Sequence, residues 1–219
     1  MGNFDFTVVE RSWPFLLEGL RLSLALTLVA MAGGLLLGLG LALARLSGPR
    51  WLAAASAAYV NGFRAVPLVL VIFWFYFLVP LVLGRPVGAL PSALIAFTLF
   101  EAAYYSEIIR AGLQAVPRGQ WQAAAAAGLR PAQTLRFVVL PQALRHMSPL
   151  LITQAVVLFQ DTSLVYVISL RDFMTSAGIV ANRDNRLVEV YMFAALVYFV
   201  ICVSASSAAH FLHKRWKKA

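Results

Sequence analysis

The sequence predicts an all-α membrane protein of about five transmembrane helices, and three observations lead there. Hydrophobic residues make up 61% of the 219-residue chain and charged residues only 12%, with a mean hydropathy of +0.80. A soluble chain carries about 45–50% apolar and about 25% charged residues. The excess apolar surface falls into long continuous runs, which suit helices, and does not alternate as barrel strands do. Finally, the basic residues between those runs are unevenly divided, as they are in multi-pass proteins.

Residues 1–21 set Trp13, Pro14 and Phe15 between charges, a pattern suited to an interfacial segment leading into the first helix. Residues 22–44 then carry no charge and exceed the run of about 18 residues that spans a bilayer. Gly34 and Gly38 have the small-xxx-small spacing that lets a second helix approach closely. Glycines are also simply common in membrane helices, an equally good account of them. The run is too long for a cleavable leader and follows Asp5 and Glu10, so no such leader is expected.

A short basic turn from Arg45 to Arg50 follows. Residues 51–63 read either as an interfacial helix or as the start of the second span, whose charge-free run covers 65–84. Pro67 lacks a backbone donor and predicts a kink there. Phe73, Trp74, Phe75, Tyr76 and Phe77 form an aromatic band that interfacial anchoring explains. The third span covers 86–100 and continues past Glu101 to 109. The fourth covers 147–160 and continues past Asp161 to 170, and the fifth covers 190–209. Cys202, the single cysteine, lies in the last span and reads as a small apolar filler.

Residues 110–145 differ from everything around them, with five arginines, no acid and the alanine run 123–127. Alanine is the strongest helix former. Gly128 suits a left-handed helix end and Pro131 the first turn of another helix. The segment therefore predicts a helix, a sharp turn and a second short helix.

An odd number of spans puts the termini on opposite sides. With the N-terminus outside, the cytoplasmic segments hold eleven basic residues and no acid, among them the tail of Lys214, Arg215, Lys217 and Lys218. The outside holds six basic and six acidic residues. That is the positive-inside distribution, so the net charge of +9 is read as topology and membrane-lipid contact, with no nucleic-acid partner. No second domain, internal repeat or phosphate-binding Gly-rich loop is present, so 1–219 reads as one membrane domain and any nucleotide energy comes from another chain. His146, His210 and His213 have no metal-ligand spacing, and no metal site is expected.

The elbow carries a recognisable pattern. Gln122-Ala123-Ala124, three residues, Gly128, nine residues, then Val138-Val139-Leu140-Pro141 resembles the "EAA" loop of ABC-importer permeases. Gln122 stands for the motif's Glu and Val138 for its Ile, so a salt bridge from the Glu gives way to a glutamine hydrogen bond. Residues 61–68, 101–112 and 160–164 resemble polar amino-acid permeases, and 157–167 resembles the glutamate/aspartate permease subunits in particular. The resemblance covers nearly the whole chain. It implies a type I importer permease in a bacterial inner membrane that moves polar amino acids inward by alternating access. A second permease subunit, a different chain more readily than a copy, completes the pathway. An ATPase dimer using ATP and Mg docks at the loop 117–141, and an extracytoplasmic solute-binding protein delivers the substrate. The chain itself is then no enzyme and binds no cofactor.

Charged groups inside a membrane cost about 2.5–3.5 kcal/mol each on insertion scales, so they tend to work or to pair. Asp161 can accept an amino acid's ammonium, with Gln154 two turns back on the same face and Thr162 and Ser163 beside it to donate to carboxylates. Alternatively, Asp161 pairs with Arg64 or Arg171 or caps a broken helix. Arg64 can meet a substrate carboxylate in bidentate fashion or snorkel to the interface. Glu107 and Arg110 sit three apart and predict an intrahelical pair. Glu101 has no such neighbour and joins the candidates. The rival function is a secondary amino-acid transporter not driven by ATP, which ordinarily shows more spans or an inverted repeat.

Overall fold

The computed structural model describes residues 5–218, with side chains described to residue 208 and at Phe211. The basic tail and its proposed lipid contacts therefore lie outside the described side chains. Helix α1 runs over Thr7–Ser47, a length of about 62 Å at 1.5 Å per residue, twice the hydrocarbon thickness. The interfacial segment is thus continuous with the first span. Pro14 leaves only the carbonyl of exposed Glu10 without its helical donor, where no dry core is affected.

Helix α2, Arg50–Arg64, and helix α3, Leu68–Leu83, meet at a bend of 105°. Pro67 holds extended backbone at the break (φ −60°, ψ 137°), as the residue that cannot continue a helix should. Residues 51–63 therefore belong to a separate helix. Among the described residues, four helices are long and apolar enough to cross a membrane by themselves, and counting the bent pair as one span gives five. Gly84, at φ +66°, ends α3 in the left-handed region.

Helix α4, Ala89–Gln114, is followed by α5, Arg118–Ala126. The turn after α5 is the expected one. Gly128 has φ +79°, its N–H bonds to the carbonyl of Ala125, and the N–H of Leu129 bonds back to Ala124. That bond pair is a Schellman helix end. The second arm of the elbow is not a short helix. From Pro131 it continues as α6, Pro131–Ile168, through a π-turn into the fourth span. Helix α7, Phe173–Arg183, is capped by the side chain of Asp172, which accepts from Met174 and Thr175 N–H at 3.1 and 2.9 Å. Helix α8, Leu187–Lys218, closes the chain, and Gln160 reaches Cys202 Sγ on it at 3.6 Å.

Two π-turns interrupt these helices, Trp74–Leu78 in α3 and Leu135–Val139 in α6. Each lies just before a proline, Pro80 or Pro141, whose ring crowds the preceding turn and whose missing N–H frees a carbonyl.

Glycines set the central seam, between α1 and α4. A Cβ on Gly34 would lie 2.9 Å from Glu101 Cβ. One on Gly38 would lie 2.9 Å from both the carbonyl of Ala102 and the N of Ser106. The small-xxx-small pair is therefore a close-packing device, because backbone cannot yield as a flexible side chain can. Leu26 and Ala30 of α1, Val71 and Ile72 of α3, Phe97 of α4 and Leu158 of α6 form the largest apolar cluster.

Ion pairs fasten both ends. At the elbow end, Glu107 receives Arg45 from α1, Arg110 at 2.7 Å, and Arg64 from α2 at 3.9 Å. At the other end, Asp184 pairs with Arg183 at 2.7 Å and Arg11 at 3.0 Å. Arg183 foremost, then Arg11, holds the Asp184 carboxyl below its ordinary range.

Candidate functional site

Glu101 on α4 is completely buried, and Gly34 of α1 backs it closely enough to leave no room for solvent on that side. Its partner comes from α6. Gln154 donates its side-chain amide to both carboxylate oxygens, at 3.1 and 3.2 Å. A buried carboxylate without hydrogen bonds is strongly disfavoured, so this pair fixes the rotation of α6 against α4. Tyr105, one turn along α4, is also buried, and its hydroxyl has no partner among the described residues.

Asp161 lies two turns beyond Gln154, where the α-helical part of α6 tightens into the 3-10 turn Thr162–Ile168. It is half-buried and within electrostatic range of Glu101. Its carboxylate makes no ion pair and caps no backbone group among the described residues. Neither structural alternative, pairing with Arg64 or Arg171 or capping a broken helix, is therefore observed. Thr162 is fully buried and donates its hydroxyl to the carbonyl of Phe159 at 2.7 Å. Ser163 is half-buried beside it.

Arg64 ends α2 directly before the 105° break. Its guanidinium sits 5.4 Å from the centre of the Tyr104 ring, and its side chain remains 42% exposed. Arg45 and Arg110 already bond to Glu107, and the 3.9 Å contact leaves Arg64 with donors to spare. Tyr104 lies three residues after Glu101 and three before Glu107, so Arg64 sits between the buried acid and the ionic hub.

The structure thus brings Glu101, Gln154 and Asp161 together and sets Arg64 about one turn away along α4. Sequence reasoning named these residues but not the Glu101–Gln154 bond, and it missed Arg45 as a partner of Glu107. For the Glu101–Gln154 bond the only sequence signal was negative, a membrane carboxylate with no partner on its own helix, and Glu107 already had Arg110 within reach. No group of His, Cys, Asp and Glu that could hold a metal occurs among the described residues.

The elbow offers a second functional surface. Gln122 and Ala123 are exposed, Ala124 packs inward, and Gly128, Leu140 and Pro141 lie on the outside. An ordered exposed elbow beside an apolar helical body that encloses polar groups suits a membrane subunit that works with partner proteins. Residues 12–218 match the family described as the binding-protein-dependent transport system inner membrane component, and the chain belongs to that family.

Relatives and solved structures agree. The chain is 49% identical to a glutamate/aspartate import permease protein GltK of Escherichia coli O6:H1, over 98% of this chain and 99% of that one. It is 32% identical to a probable amino-acid ABC transporter permease protein YckA of Bacillus subtilis, over 97% and 94%. Among solved structures, an amino acid ABC transporter crystallised with histidines matches with a TM-score of 0.90 at 30% identity, covering 98% of this chain and 100% of that one. The chain is therefore an ABC-importer permease of an inner membrane and not an enzyme, and the family's working assembly includes a separate ATPase and a solute-binding protein. A secondary transporter independent of ATP does not fit this membership.

Proposed function

We propose that this permease moves the acidic amino acids glutamate and aspartate into the cytoplasm. The observation that carries the reading is the full-length similarity to the glutamate/aspartate permease. The charge arrangement supports it. Asp161 has a free, half-buried carboxylate and receives the substrate's ammonium. Glu101, braced by Gln154, forms the buried floor beneath it. Two acids alone would repel a dicarboxylate, and Arg64 supplies the compensating cation with donors left over. Ser163 and the amide of Gln154 complete the polar wall, and buried Thr162 fixes the 3-10 turn that presents them.

The N-terminus lies outside and the C-terminus inside, so the elbow faces the cytoplasm. There, Gln122, Ala123, Ala124, Gly128, Leu140 and Pro141 of the loop 117–141 take the ATPase dimer, which uses ATP and Mg. A second, different permease chain completes the pathway, and the solute-binding protein docks on the opposite side. Closure of the ATPases moves the elbow, and α6 carries that motion to Gln154 and Asp161 because the elbow's second arm and the fourth span are one helix.

The test is reconstitution of the complete complex with its binding protein in proteoliposomes. ATP-dependent glutamate uptake, reduced by excess aspartate and weakened in KM by Arg64→Gln, is expected. Absence of ATP-dependent uptake of either acid contradicts the substrate assignment. An unchanged KM removes Arg64 from the site.

A further inference from the structure

A cavity of about 690 Å³ opens at the elbow end of the molecule, within the range of about 300–1,000 Å³ typical of small-ligand pockets. It lies away from Asp161 and Glu101. The ends of α1 and α4, the helix α5 and the start of α6 enclose it. Leu43, Leu46, Leu113 and Leu135 make its walls apolar, and Arg118 and Trp121 stand at α5.

Several features point to one occupant. Its walls are mostly apolar with a few polar groups, Ser47, Gln114 and Arg118 among them, so it suits a guest with an apolar part and a polar end. Leu43, Leu46 and Leu135 are each more than a third exposed, so they present this surface without covering it. Arg118 is exposed and makes no ion pair among the described residues. It is the first residue of α5, whose first turn holds no acid, so the positive end of that helix adds to its charge. Trp121 follows one turn later on the same face, and tryptophan favours the level of lipid headgroups. The cavity sits where two spanning helices end, at Ser47 and Gln114, on the elbow side of the membrane body.

We propose that this cavity binds an anionic phospholipid of the cytoplasmic leaflet, with an acyl chain against the leucines and the phosphate on Arg118. The proposal takes its side of the membrane from the orientation given above. The lipid lies between the membrane body and the elbow helix, so it wedges α5 at a set distance from α1 and couples membrane composition to transport. An acyl chain accounts for the leucines, and a phosphodiester accounts for an unpaired arginine at a helix N-terminus.

The experiment uses the whole transporter complex in nanodiscs of phosphatidylcholine with 20% phosphatidylglycerol, a composition on the order of native anionic content. Phosphatidylglycerol with brominated acyl chains is expected to quench Trp121, read as the fluorescence difference between wild type and Trp121→Phe. Retained phosphatidylglycerol is then counted by mass spectrometry after mild delipidation. Retention is expected to fall several-fold in Arg118→Gln and to stay at the wild-type level in Arg145→Gln, an exposed arginine outside the cavity. Equal retention in the two variants, or no quenching of Trp121, overturns the proposal. Quenching that is the same with brominated phosphatidylcholine shows an apolar groove without headgroup recognition and also overturns it.

Discussion

Gln154 donates its amide to both carboxylate oxygens of Glu101 across the boundary between α6 and α4, at 3.1 and 3.2 Å. Glu101 has no solvent contact and no cation beside it, so the bond is its sole described polar tie. Gln154→Leu is expected to destabilise the protein by about 1–3 kcal/mol, because a buried acceptor loses its donor. Glu101→Leu combined with Gln154→Leu is expected to be less harmful than Gln154→Leu alone. Thermal unfolding in one detergent compares the three proteins.

The α1–α4 seam gives a second prediction. Gly38→Ala places a methyl 2.9 Å from backbone atoms of Ala102 and Ser106 and forces the helices apart, at a cost of about 1–3 kcal/mol. Gly40 has nothing within 4 Å of an added Cβ, and Gly40→Ala is expected to leave stability unchanged or slightly raised. Unfolding midpoints of the two variants, purified side by side, check the contrast.

Gly128 tests the elbow. Its φ of +79° costs an L-residue with a side chain about 1–2 kcal/mol. The space around it is open, so Gly128→Ala acts through backbone strain alone. The expected result is a complex that still assembles but couples ATP hydrolysis to uptake less well. The ratio of solute moved to ATP hydrolysed is the readout.

Much of the fold was legible because its signals are local. Pro67, Gly128 and Pro131 act on their own backbones, and all three mark the breaks that they predict. Gly34 and Gly38 left a close helix contact as one of two equal readings, and the sequence did not say which helix would fill it. The pairs that define the site were not legible in this way. Gln154 and Glu101 are 53 residues apart and Arg45 and Glu107 62 apart, so their meeting depends on the rotation of whole helices. The elbow's second arm reads as short in the sequence, yet Pro141 and Pro149 both lie within the helix that carries it into the fourth span. A π-turn absorbs the first, and α6 continues through the second.

The pH dependence of stability follows from Asp184. Arg183 and Arg11 lower its folded-state pKa, so its contribution is present at neutral pH and lost as pH falls through that lowered value. Asp184→Asn is expected to lower the unfolding temperature at pH 7 and to matter progressively less on acidification. A difference that grows toward low pH contradicts the assignment.

The most direct test of the transport account is ATP-driven uptake of labelled glutamate by the assembled complex with and without Asp161→Ala. Uptake by the wild type, lost in the variant while the subunits still co-purify, is the result expected if Asp161 receives the substrate ammonium. Undiminished uptake by the variant contradicts that role and moves the substrate site away from the α4–α6 cluster.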